Sequence, residues 1–151
     1  IVRSGVAMAV RTGAAHPDIG SEAAVKAAVL AARTLGYSTG PSGVALARLF
    51  ERWGIADAVN AKLVTPPPGT PVGALIASGD VELGFQQLSE LMHLTGIDVL
   101  GPLPDAIQIT TIFSGGVATA SSQPDAARAL LAYLAAPHTA EAKRAHGMAP
   151  A

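Results

Sequence analysis

Residues 34–53, which read Thr-Leu-Gly-Tyr-Ser-Thr-Gly-Pro-Ser-Gly-Val-Ala-Leu-Ala-Arg-Leu-Phe-Glu-Arg-Trp, decide the fold class of this chain. They begin with a short strand candidate, Thr34–Tyr37, and continue through a turn-rich loop, Ser38–Gly43. The residues after the loop have the three- and four-residue spacing of one apolar helix face, namely Leu46, Leu49, Phe50 and Trp53. A strand that leads through a loop into an amphipathic helix is the building unit of α/β proteins.

The same unit recurs along the whole chain. Strands are predicted at 2–10, 34–37, 61–65, 81–85 and 98–100, and a predicted helix follows each of the first four. A long β segment, bent at Gly115-Gly116, is predicted over 107–120, and two helices follow it. This alternation predicts an α/β fold with a layered, mixed and mainly parallel sheet that carries helices on both faces.

The composition suits one compact domain and excludes several classes of function. Half of the 151 residues are hydrophobic and 14% are charged, which is ample material for a buried core. The net charge of −1 and the scattered Lys and Arg offer no basic surface, so we expect no nucleic-acid partner. Without cysteine there can be no disulfide and no thiolate site. The chain starts inside a predicted strand, without methionine or signal peptide, from which we expect a processed or truncated protein.

Three loops after predicted strands are candidate binding elements, because ligands of open α/β sheets lie beyond the carboxyl ends of strands. The loop Tyr37–Gly43 brings hydroxyls to a helix start, which suits an oxyanion or a carboxylate, although a well-capped helix start has the same composition. The loop Pro66–Val72 leads into a helix with Pro71 as its first residue, and it could equally be a rigid surface turn. Gln86 and Gln87 follow the apolar strand 81–85. Their amides could bind a ligand, or they could be a solvated strand end.

The search for a catalytic or metal-binding constellation gives no candidate. The 4 histidines, at positions 16, 93, 138 and 146, do not pair at a metal-ligand spacing along the chain. There is no Gly-x-Ser-x-Gly motif and no phosphate-binding P-loop motif. Asp98, Asp105 and Glu90 show no pattern of an acid–base pair. We therefore expect a protein that is not an enzyme and that uses neither a cofactor nor a metal.

Several motifs taken in order suggest a family. They include Tyr-Ser-x-Gly-Pro-Ser-Gly, Leu-Phe-Glu-Arg-Trp-Gly-Ile and Gly-Asp-Val-Glu-Leu-Gly-Phe-Gln-Gln-x-Ser-Glu. The chain resembles the molybdate-binding-protein-like branch of the type 2 periplasmic solute-binding proteins, the receptors that serve ABC transporters. The segments that carry the resemblance are Val6–Ile19, Tyr37–Gly43, Leu49–Ile55, Gly79–Glu90 and Gly96–Pro104.

The resemblance implies a receptor in which two α/β lobes close over a ligand. Residues 1–120 would be the second lobe with both strands that cross between the lobes, and residues 121–151 would be C-terminal helices that pack on the first lobe. The first half of such a receptor has no counterpart here. The helices would then need another partner, and a homodimer is one possibility. The ligand-binding residues that the resemblance implies are Tyr37, Ser38, Ser42, Gly43, Gly69, Thr70, Val72, Gln86 and Gln87.

The function expected from this resemblance is the substrate-binding component of an ABC transporter. Such a protein lies in the periplasm, delivers its solute to a permease, and here would take a small anionic ligand. Gln87 stands where molybdate binders carry a tyrosine hydroxyl, which argues against molybdate. The alternative is an effector-sensing domain of a transcription regulator, which can share the fold.

Overall fold

One long strand organises the sheet in the computed structural model, which describes all 151 residues. The strands are β1 (Val2–Arg11), β2 (Leu35–Tyr37), β3 (Leu83–Gln87), β4 (Ile97–Pro102), β5 (Thr110–Phe113) and β6 (Ala149–Pro150). The helices are α1 (Glu22–Ala31), α2 (Pro41–Arg52), α3 (Ala56–Asn60), α4 (Val72–Ser78), α5 (Leu88–Leu91), α6 (Pro124–Ala135) and α7 (Ala140–Ala145). No helix combines the length and the apolar character that crossing a membrane would require.

Strand β1 changes its partners halfway along its length. Its first residues, from Val2 to Gly5, pair with β5 and β6, and its later residues, from Val6 to Arg11, pair with β3 and β4. All of these pairings are antiparallel. A single strand therefore connects two ladders, one on each side of the junction between Gly5 and Val6.

The predicted layered α/β fold with a mixed sheet is confirmed, but the expectation of mainly parallel pairing is wrong. Only β2 and β3 pair in parallel as strands. The order is β2-β3-β1-β4, so β1 lies between β3 and β4 and runs against both. The reason is that the first strand of the chain lies in the middle of the sheet, and both of its neighbours there run against it. Residues 6–10 of β1 are all buried, which is the pattern of a central strand paired on both edges.

Helices cover both faces of the sheet, and they do so because side chains of β1 alternate between the faces. Val6, Met8 and Val10 belong to a core cluster that includes Phe50 of α2 and Phe85 of β3. Ala7 and Ala9 belong to a second cluster with residues of α4 and α5, among them Val72, Ile76 and Leu91. Small residues on the second face let α4 and α5 approach the strand closely.

Two predicted β segments are shorter than the sequence pattern suggested. Of the predicted segment 107–120, only β5 is a strand, and residues 114–118 form no regular element. The pairing of β5 with β1 ends at Phe113, which lies opposite Val2. Of the predicted strand 61–65, a single bridge between Leu35 and Leu63 remains.

Candidate functional site

A cleft of about 350 Å³ lies at the carboxyl ends of β2 and β3, beside the loop that precedes α4. Since β2 and β3 are parallel, the segments that leave them meet at one edge of the sheet. The lining residues are Ser38, Thr39, Thr65, Pro66, Pro67, Pro68, Gly69, Thr70, Val72 and Gln86.

The loop after β2 is held against the first turn of α2. The hydroxyl oxygens of Ser38 and Ser42 are 3.3 Å apart and share a hydrogen bond. A Cβ atom built on Gly43 would lie 1.6 Å from the carbonyl oxygen of Ser38. Only glycine permits this approach, so Gly43 fixes the position of Ser38 at the mouth of the cleft.

The loop before α4 contains a tight turn. The backbone N–H of Thr70 donates to the carbonyl of Pro67 at 3.0 Å, and Gly69 has a φ of 80°. Proline at the second position and a left-handed glycine at the third are the pattern of a type II turn. Pro71, which was predicted as the first helical residue, is the N-cap of α4, and no side chain caps the helix. The Thr70 hydroxyl therefore makes no capping hydrogen bond to the helix that follows it.

Gln86 and Gln87 are the last two residues of β3 and not a solvated strand end. Their side chains are only 7% and 8% exposed. The amide nitrogen of Gln86 donates to the carboxylate of Glu90, a residue of the short helix α5 that follows β3. The amide oxygen of Gln86 and that of Gln87 are buried and have no hydrogen-bond partner. An unpaired buried acceptor costs about 1–3 kcal/mol, and the acceptor of Gln86 belongs to a residue that lines the cleft.

The structure brings together five of the nine residues predicted for the site. Ser38, Gly69, Thr70, Val72 and Gln86 line the same cleft.

The remaining four predicted residues lie next to the cleft lining or beneath it. Ser42 and Gly43 contact Ser38 from the first turn of α2. Gln87 is buried, and as the next residue of β3 its side chain lies on the opposite face of the sheet from that of Gln86. The Tyr37 ring packs on Phe50, with centroids 5.9 Å apart, and burial raises the pKa of its hydroxyl.

Two threonines of the lining were not among the predicted site residues. Thr39 lay inside a predicted binding loop without being singled out, and Thr65 was predicted to end a strand. A hydroxyl at the carboxyl end of the predicted strand 61–65 is the signal that points to Thr65, since strand exits face the ligand edge.

The cleft wall is neutral. No Asp, Glu, Lys, Arg or His is among the lining residues, and four of them carry hydroxyls: Ser38, Thr39, Thr65 and Thr70. The first backbone hydrogen bond of α4 runs from the N–H of Ala74 to the carbonyl of Pro71. The N–H of Val72, at the start of the helix, therefore has no carbonyl partner within it. Such a wall can hold a ligand by hydrogen bonds whose geometry, rather than net charge, decides what fits.

The histidines are arranged differently from what the sequence suggested. His93 and His146 are 53 positions apart, yet their ring nitrogens lie 3.2 Å from each other at the ends of α5 and α7. No group of three or more His, Cys, Asp or Glu residues is placed to hold a metal ion. The His pair lies outside the cleft lining.

Comparison with known proteins gives one family and several relatives. The family model described as bacterial extracellular solute-binding protein matches residues 1–149. An aconitate isomerase of Pseudomonas sp. is 45% identical over 149 residues, which cover 98% of this chain and 56% of the relative. The molybdate-binding protein ModA of Azotobacter vinelandii is 30% identical over 115 residues, which cover 72% of this chain and 44% of the relative. The chain therefore spans about half the length of these two relatives.

Solved structures share the fold. A substrate-binding domain from Clostridium difficile, assigned to a molybdenum ABC transporter, superposes with a TM-score of 0.73 at 14% sequence identity. The match covers 99% of this chain and 65% of that domain. At this identity the likeness shows the fold and not the identity of a ligand.

Proposed function

The chain belongs to the bacterial extracellular solute-binding protein family, and from that membership and the cleft we propose that it supplies one wall of a binding site for a small carboxylate. The observation that carries the proposal is the neutral, hydroxyl-lined cleft at the carboxyl ends of β2 and β3. Hydroxyl groups and the backbone N–H of Val72 can donate hydrogen bonds to carboxylate oxygens, although they carry no charge themselves.

The ligand class rests on the relatives as well as on the cleft. The aconitate isomerase covers more of this chain and is more identical to it than the molybdate-binding protein is. Aconitate is a carboxylate, whereas molybdate is an inorganic oxyanion. We therefore place carboxylates ahead of molybdate, in agreement with the argument from Gln87.

We propose that the complete protein lies in the periplasm, where it delivers this solute to the permease of an ABC transporter. Helix α6 supports a larger assembly, because it has no buried residue and exposes Leu130, Tyr133 and Leu134. We propose that residues 121–151 pack on a first lobe, as the resemblance to two-lobed receptors implies, and that residues 1–120 form the second lobe. A homodimer that covers α6 is the competing arrangement.

A second candidate function is isomerisation of a carboxylate, which the 45% identity to an aconitate isomerase favours. Moving a proton on the ligand requires an acid or a base within hydrogen-bond reach. The cleft lining supplies no ionisable side chain, so that group would have to come from the opposite wall. Incubation with cis- or trans-aconitate, followed by chromatography of the products, tests this candidate directly.

Calorimetry on the protein, with all the residues that its gene encodes, tests the binding proposal. The titrants are citrate, aconitate, succinate, sulfate and molybdate. We expect at least one carboxylate to bind more tightly than either inorganic anion, and we expect Thr70→Val to weaken it about tenfold, because one hydrogen bond to a charged group is lost. Thr95→Val, at an exposed threonine outside the cleft lining, is the matched control. No detectable binding of any carboxylate, or tighter binding of molybdate than of any carboxylate, would overturn the proposal.

A further inference from the structure

We propose that His93 and His146 form a chelating site for a divalent late transition-metal ion such as Cu²⁺, Ni²⁺ or Zn²⁺. The two histidines are 53 positions apart in the sequence, and the site they form joins the turn after α5 to the end of α7. Neither histidine lines the cleft, so this inference does not depend on the proposed function.

The first step is the distance between the two rings. Nδ1 of His146 lies 3.2 Å from Nε2 of His93, and the ring planes are inclined by 65°. Metal–imidazole bonds of about 2.0–2.1 Å at a tetrahedral angle separate two ligating nitrogens by about 3.3–3.4 Å. The two nitrogens therefore have nearly the separation that one ion requires. The ion lies to one side of the line between them, and each ring has to turn by roughly 35° to face it.

The second step is how the backbone holds both ligands. The N–H groups of the residues on either side of His93 donate to carbonyls of α5, each at 3.0 Å. His146 is the C-cap of α7, and its N–H donates to the carbonyl of Lys143 at 3.1 Å. Gly147 packs directly on α5, because a Cβ built on it would lie 3.0 Å from the backbone nitrogen of Ser89. Metal binding therefore has to order only two side chains on a backbone that is already in place.

The third step is the protonation of the facing nitrogens. A neutral imidazole carries its proton on either of its two ring nitrogens. In the hydrogen bond between His93 and His146, one facing nitrogen holds a proton and the other accepts it. When an ion binds, that proton is exchanged through solvent to the outer nitrogen of the same ring. Both facing nitrogens then present lone pairs to the ion, and the pair loses no proton overall.

The fourth step is which ions suit such a pair. Imidazole nitrogen is a good ligand for Cu²⁺, Ni²⁺ and Zn²⁺, whereas Mg²⁺ and Ca²⁺ take oxygen ligands. Both histidines are exposed, and no third His, Cys, Asp or Glu is placed with them to hold a metal, so water completes the coordination. We expect Cu²⁺ to bind more tightly than Ni²⁺ or Zn²⁺, as in the general order of affinities for nitrogen ligands.

Calorimetry tests the site on the protein with all the residues that its gene encodes, at about pH 7.5, where imidazole is mostly neutral. The titrants are Cu²⁺, Ni²⁺, Zn²⁺ and, as the hard-ion control, Mg²⁺. His93→Ala and His146→Ala should each weaken transition-metal binding at least about tenfold, since the loss of a group that merely supports a ligand already costs that much. The double variant should bind no more weakly than either single variant, because one remaining imidazole is not a chelate. His138→Ala, at an exposed histidine that packs on Tyr133, is the matched control.

A second measurement identifies the ligands in the wild-type protein. Paramagnetic Cu²⁺, added below one equivalent, should broaden the imidazole NMR signals of His93 and His146 before those of His16 and His138. The variants replace exposed side chains, so their melting temperatures in EDTA should match that of the wild type. Absence of binding for all three transition-metal ions would overturn the proposal. So would wild-type affinity in either single variant, an equal loss in His138→Ala, or broadening that begins at His16.

Discussion

The carbonyl oxygen of Ser38 lies 1.6 Å from the position that a Cβ on Gly43 would take. The loop after β2 and the first turn of α2 are thus interlocked through a single missing methyl group. Because Ser38 lines the cleft, the packing of a buried glycine determines the geometry of a binding surface.

Gly43→Ala should therefore displace the Ser38 loop. A Cβ so close to a backbone atom forces the backbone to move, and overpacking of this kind costs about 1–3 kcal/mol. We expect a lower melting temperature and at least a tenfold loss of carboxylate affinity. Gly40→Ala is the control, because its new methyl would meet only the Ser38 hydroxyl at 3.8 Å. Equal melting temperatures for the two variants would contradict the interlock.

Gly69→Ala should weaken binding through strain rather than through a clash. Nothing lies within 4 Å of the new Cβ, but Gly69 has a φ of 80°, and the left-handed region costs an L-residue about 1–2 kcal/mol. The turn Pro67–Thr70 would open and move the Thr70 hydroxyl. Gly116 also has open space around it and lacks a positive φ, so Gly116→Ala isolates the effect of backbone conformation. Calorimetry and thermal unfolding of both variants make the comparison.

The loop between β1 and α1 should be released by acid. The side-chain hydrogen bond from His16, together with those from the Gly13 N–H and the Thr12 hydroxyl, lowers the pKa of Asp98 below its ordinary value. A carboxyl whose pKa is depressed in the folded state stabilises the fold above its unfolded pKa of about 4, and the contribution is lost as the pH falls through the folded value.

NMR titration of the Asp98 carboxyl carbon gives the measurement. His16→Ala should move the pKa of Asp98 upward, towards the ordinary aspartate range, because the first of its stabilising contacts is removed. Asp105→Asn, a change at an aspartate outside this loop, should leave the Asp98 titration where it is. An unchanged titration in His16→Ala would show that the backbone and threonine contacts suffice.

How far the sequence could predict this molecule depended on whether a feature is local. A serine directly before a helical pattern is a typical cap, and the Ser21 hydroxyl accepts from the N–H of Ala24 at the start of α1. The apolar face of α2 was evident from its spacing, and Leu46, Leu49 and Phe50 are buried. Caps and helix faces are set within a few residues of the chain, so the sequence alone contains the evidence for them.

Features that depend on distant parts of the chain could not be predicted in the same way. The insertion of β1 between β3 and β4 depends on pairing between residues far apart in the sequence, such as Met8 with Phe85 and Val10 with Asp98. The burial of Gln86 depends on what packs around the end of β3, and a polar pair at a strand end is as typical of solvent exposure. The interaction of Gln86 with Glu90 only has meaning once that burial is known.

The apolar face of α6 should tolerate a polar substitution in this chain but not in a protein whose first lobe covers the face. Leu130 is 58% exposed in these 151 residues, so Leu130→Gln costs the isolated chain little and lowers any self-association through this face. If a first lobe covers α6 in the protein with all the residues that its gene encodes, the same change removes a buried leucine and destabilises it by about 2–3 kcal/mol. Chemical denaturation of both forms, with sedimentation of the shorter one, measures the two effects. Leu30 is 46% exposed on the outer face of α1, which the proposal leaves in solvent, so Leu30→Gln should have the same small effect in both. If Leu130→Gln costs as little in the longer protein, a first lobe does not cover α6. If Leu130→Gln abolishes dimer formation in both forms, the result favours a homodimer that covers this face.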